Sequence, residues 1–152
     1  MSNKLLRQQL FSQCQMVVAQ RIASSEEAIR MAKESANEEG KSSAGDKYET
    51  GRAMAQLEIE KASRQLAEAN KLKQALEKIS VDKGGPVVAS SSLVITNQGR
   101  YFISIAAGRL TVDNETWFAI SAGSPLGANL VGKKEGDVVK LMGKEIVIEK
   151  VL

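Results

Sequence analysis

From Phe11 to Ala32, apolar or small residues return every three or four positions, through Cys14, Val18, Ile22, Ser25 and Ile29. That spacing brings each side chain back to one helix face, so it predicts a first helix over most of residues 3–36. A second series repeats the steps through Tyr48, Ala55, Ile59, Ala62, Leu66, Ala69, Leu72, Leu76 and Ile79, with Arg52 on the same seam. Polar residues such as Glu58, Lys61, Arg64 and Lys71 fill the remaining positions, leaving each helix one narrow apolar stripe. Narrow stripes need a partner helix. Between them, Asn37 to Gly45 carries two serines and interrupts both patterns, so an antiparallel reversal is expected there. Each arm, at 1.5 Å rise per residue, makes a rod of about 50 Å. The Ala-rich seam permits close approach but buries little apolar area per residue.

After Ile79 the pattern changes. Ser80-Val81-Asp82-Lys83-Gly84-Gly85-Pro86 cannot continue a helix without cost. Short β-type runs follow at residues 92–96, 100–105, 116–120, 137–141 and 145–149. Asn97-Gln98-Gly99 and Met142-Gly143-Lys144 are turn sequences that predict antiparallel pairing of their neighbours. Ser124 can cap a short helix with Pro125 at its first position, Leu126, Ala128, Leu130 and Val131 covering the sheet before Gly132 stops it. The expected class is α+β, with a helical hairpin over residues 1–80, tip near 37–49, and a small sheet domain with a short helix over 81–152.

Composition narrows the chemistry. The chain has 152 residues and a net charge of +3; residues 1–79 hold 13 Lys/Arg against 11 Asp/Glu, and residues 80–152 hold 8 against 7. Neither half is a strongly basic surface, which disfavours binding driven by phosphate neutralisation and any sequence-specific DNA contact. No His is present and Cys14 is the single Cys. A His/Cys zinc site, His acid–base catalysis and an intramolecular disulfide are thereby excluded within the chain. Without a signal-type start or a run of about 20 apolar residues, a soluble, cytoplasmic protein is expected.

The order of parts, with Ser124-Pro125-Leu126-Gly127 opening a helix and Gly132-Lys133-Lys134-Glu135-Gly136-Asp137 leading to a strand, resembles the Gre-type transcript cleavage factors. The match also includes Leu130 and Val139. The resemblance implies an N-terminal antiparallel coiled coil and a C-terminal FKBP-like domain, acting on bacterial RNA polymerase through its secondary channel. In that family two tip carboxylates help hold a second magnesium ion in the polymerase active site. Gly45-Asp46-Lys47-Tyr48-Glu49 has the family's Gly-Asp-x-x-Glu spacing, so the resemblance assigns Asp46 and Glu49 as the metal pair. It assigns Ser124, Pro125, Leu126 and Gly127 to partner binding. Beyond Glu49 the chain departs from the family, with Thr50-Gly51-Arg52-Ala53 where Asn-Ala-Glu-Tyr is expected.

Plainer roles exist for the same residues. Acids in a first helical turn are favoured by its unpaired N–H groups and dipole, and the Ser-Pro-Leu-Gly motif builds a helix start. Glu38 and Glu39 are alternative tip carboxylates or solvated charges. Tyr48 suits hairpin packing or base stacking, Trp117 the sheet core, and Cys14 a buried seam. The expected protein is a monomeric, non-enzymatic regulator without a tightly bound cofactor, any magnesium being shared with the polymerase. Whether the tip stimulates RNA cleavage or only occupies the channel stays open, and an FKBP-like prolyl isomerase or chaperone is the alternative class.

Overall fold

Two helices occupy the first half of the chain, α1 (Asn3–Lys41) and α2 (Gly45–Glu77). They belong to a computed structural model that describes residues 2–41, 45–82 and 84–152, the side chains of 39–41 and 45–48 excepted. α1 runs on to Lys41, into the stretch expected to reverse the chain. Asn37, Glu38 and Glu39 are tolerated in a helix, and extending an existing helix costs far less than starting one. Residues 42–44, within the expected reversal, and Lys83, within the linker, lie outside the described residues.

The chain divides into two compact units, Val18–Lys73 and Met1–Val17 with Gln74–Leu152. In the first, α1 and α2 run antiparallel: Gln20 shares a groove wall with Leu72, whereas Ala28 lies opposite Glu58. The seam repeats every seven residues, with Val18, Ser25 and Ala32 buried on one helix and Ala55, Ala62 and Ala69 on the other. Half-buried Ile22, Ile29, Ile59 and Leu66 flank it. A seven-residue repeat keeps one stripe facing a partner along the whole contact. Small residues at its centre bring the backbones close. Arg52 leaves the expected seam and is exposed, because the position one turn before Ala55 is taken by half-buried Gly51.

The second unit is built on a six-stranded sheet. Its strands are β1 (Leu93–Thr96), β2 (Arg100–Ser104), β3 (Gly108–Val112), β4 (Glu115–Ser121), β5 (Val138–Leu141) and β6 (Lys144–Val151), in the order β3-β4-β2-β1-β6-β5. The five expected runs all form strands. β3 was not expected: it has only two apolar residues at alternate positions, and its turn, Asp113-Asn114, reaches positive φ without a glycine. The two pairs joined by the expected turns, β1 with β2 and β5 with β6, are antiparallel as expected, and β3 brings one parallel pairing into an otherwise antiparallel sheet. The chain turns outward through β3 before returning as β4, so β2 and β4 pair in parallel with Phe102 opposite Ala119.

Alternation along the strands divides the sheet into two apolar faces. One carries Val94, Ile103, Ile146 and Ile148 under Leu130 of α3 (Pro125–Leu130), with Val88 and Val139 completing the cluster. The other carries Leu93, Phe102, Leu110 and Trp117, all almost fully buried. Within the same unit, the start of α1 reaches this second face, where the Cys14 Sγ and Ser104 Oγ are 3.8 Å apart. Leu10 and Cys14 are completely buried there. Burial pushes the Cys14 thiol above its ordinary value, and the hydrogen bond to Ser104 offsets part of that rise.

Candidate functional site

The carboxylate pair belongs to the first turn of α2. Gly45 opens the helix, so Asp46 and Glu49 stand three residues apart on a helical backbone. Glu49 is exposed. The side chains of Asp46, Lys47, Tyr48 and Glu39 lie outside the described residues, while Glu38 is exposed on the last turns of α1. Two carboxylates supply hard oxygen donors of the kind magnesium takes, and that ion ordinarily fills its remaining octahedral positions with water or other ligands. Two carboxylates are the right kind of donor for magnesium but too few to fill its coordination alone. Among the described residues, no three His, Cys, Asp or Glu side chains converge into a self-sufficient metal site.

The Ser-Pro-Leu-Gly segment is a helix cap with tight packing beneath it. Ser124 Oγ accepts a hydrogen bond from the Gly127 N–H at 3.0 Å and donates one to the Ser121 carbonyl at 2.7 Å. Pro125 then occupies the first turn, where its missing N–H costs nothing. Gly127 is buried, and a Cβ at that position would collide with the Ser121 carbonyl oxygen. Leu126 is half-buried against the α3-side core. Pro125 is therefore the only one of the four with an exposed side chain.

The following turn is an equally specific clasp. Asp137 accepts from the Lys134 N–H at 2.9 Å, and its own N–H donates to the Lys134 carbonyl at 3.0 Å. Gly136, at φ +92°, donates to the Ile148 carbonyl. These bonds aim the chain into β5, which accounts for the Gly-x-x-x-Gly-Asp pattern as local structure.

Trp117 is buried in the sheet, and its indole N–H has no hydrogen-bond partner among the described residues. Tyr101 and Phe118 share the α3 side, ring centroids 6.2 Å apart, whereas Phe102 and Trp117 occupy the other. The sheet aromatics are thus split two and two and do not line one concave pocket.

Two side chains missed in the sequence pack the first turns of α1 within the second unit. Arg7, 6% exposed, donates from Nε to the Val81 carbonyl at 3.0 Å. Gln13 pairs its amide with Thr111 on edge strand β3, donating to the carbonyl at 2.7 Å and accepting from the N–H at 3.3 Å. Their partners lie 74 and 98 residues away, beyond any local sequence signal.

Among the described residues, no helix is long and apolar enough to cross a membrane. No protein-family model matches the chain, and no curated protein matches it at a significant level.

Proposed function

We propose that the protein regulates bacterial RNA polymerase from its secondary channel, presenting Asp46 and Glu49 to the active site. The observation that carries this is the first turn of α2, where a Gly-Asp-x-x-Glu spacing coincides with the start of a long helix running back along its partner. Carboxylates in that position add negative charge and oxygen donors where a shared magnesium ion needs both. Asp46 and Glu49 would help hold a magnesium ion shared with the polymerase, which would supply an activated water for attack on a phosphodiester. The chain's own part is to carry the two carboxylates at the start of α2. In this scheme Pro125, the exposed member of its motif, meets the polymerase surface.

The test is capture of purified bacterial RNA polymerase by the full chain, followed by RNA cleavage in a stalled, backtracked complex. Retained binding with loss of stimulated cleavage in the Asp46→Ala, Glu49→Ala double variant is expected. Cleavage that survives both substitutions removes the metal role; binding by a wild-type chain that never stimulates cleavage identifies a channel-occupying regulator. No binding overturns the proposal.

A further inference from the structure

Along one side of the helical unit runs a groove of about 500 Å³, walled by both helices. Its depth follows from sequence, because the seam residues beneath it are Ser25 and Ala69, which leave the space a Leu pair would fill. Arg21, Lys61 and Arg64 rim it against one acid, Glu68. Glu68 is itself neutralised by Lys71 at 3.2 Å. Among the described residues, neither Lys61 nor Arg64 has an acid within ion-pair distance. Elsewhere on α1 the balance differs: Arg30 is bracketed by Glu27 at 2.6 Å and Glu34 at 3.1 Å. Where the groove continues past Ala28, Glu58 lines it beside Lys61, so cations outnumber acids along it by three to two, with Glu68 already paired to Lys71.

The same side continues as an apolar strip. On α2, Leu57 and Met54 precede Lys61 by one and two turns; on α1, Met31 follows Ala28 by one turn. All three are large side chains in water, at 60%, 57% and 57% exposure. Exposed methionines beside a groove give an adaptable apolar contact. Cations alongside select for the opposite charge.

We infer that this side of the helical unit docks an acidic amphipathic helix of a protein partner, its apolar stripe on Met31, Met54 and Leu57 and its acids against Lys61 and Arg64. A nucleic acid suits the surface less well. Its uniformly charged backbone gains nothing from the apolar strip and is repelled by Glu68, whereas a helix can place a Lys opposite that acid. The inference goes beyond polymerase binding and does not depend on it.

The five methionines make the test local, since each methyl is a separate NMR signal. The probe is a designed helical peptide of about 18 residues, with Leu at i, i+3, i+4 and i+7, flanking Glu and one Lys. With the full-length chain, the peptide is expected to shift the Met31 and Met54 methyls and leave Met142, in the other unit, unmoved. Lys61→Glu with Arg64→Glu should weaken binding about tenfold and restore it toward a charge-reversed peptide. Unmoved methyls, equal shifts from a scrambled peptide, or no rescue by charge reversal overturn the inference. So does an RNA oligonucleotide that moves the same methyls more tightly, or a shift that follows protein concentration alone and marks self-association.

Discussion

Gly127 shows how a residue that invites a recognition role is first required by packing. Its α-hydrogen faces the Ser121 carbonyl, so any side chain must displace backbone instead of another side chain. Gly127→Ala is expected to destabilise the sheet unit by about 3 kcal/mol, measurable by urea unfolding, with Ser124→Ala costing about 1 kcal/mol through loss of the cap. The cap was legible in the sequence because donor and acceptor lie three residues apart. Arg7 and Gln13 were not, since each chooses its partner only after the chain has folded. The spacing of Asp46 and Glu49 was likewise legible within one helical turn; nothing local in the sequence specifies what surrounds them.

Periodicity revealed the helices because their apolar stripes are long and regular, and it revealed five strands because their β-branched runs are dense. It missed β3, whose identity depends on pairing with β4 across the Asp113-Asn114 turn. In the helical unit the repeat of Ala55, Ala62 and Ala69 sets the distance between backbones. A bigger apolar residue there is harmful despite its hydrophobicity. Ala62→Leu is expected to cost about 1–3 kcal/mol and to lower the thermal midpoint seen by circular dichroism. At the edge of the sheet, Gln13→Ala should cost about 1 kcal/mol and speed hydrogen exchange at the Thr111 amide, with neighbouring β4 amides little changed.

For the whole molecule, the buried thiol sets an alkaline limit. Cys14 ionises less readily when folded than when unfolded, because burial disfavours the thiolate. Below the ordinary thiol value near 9 both states are protonated and stability is unaffected. Above it the unfolded chain loses its proton first, so stability should fall as pH rises toward the folded value, by up to about 1.4 kcal/mol per pH unit. Cys14→Ala should flatten that part of a stability–pH curve from chemical unfolding. Tyr101, also raised by burial, leaves a further decline starting near its ordinary value of 10.0.

The Gln13–Thr111 pairing has a consequence for assembly. A side-chain amide occupies the N–H and carbonyl of Thr111, where an added strand would pair with β3, while β5 ends the sheet on its opposite side. A sheet blocked at one margin can grow only from the other. Two chains joined there by a twofold axis would consume both growing margins at once, so strand addition between copies ends at a pair and offers no route to a fibre.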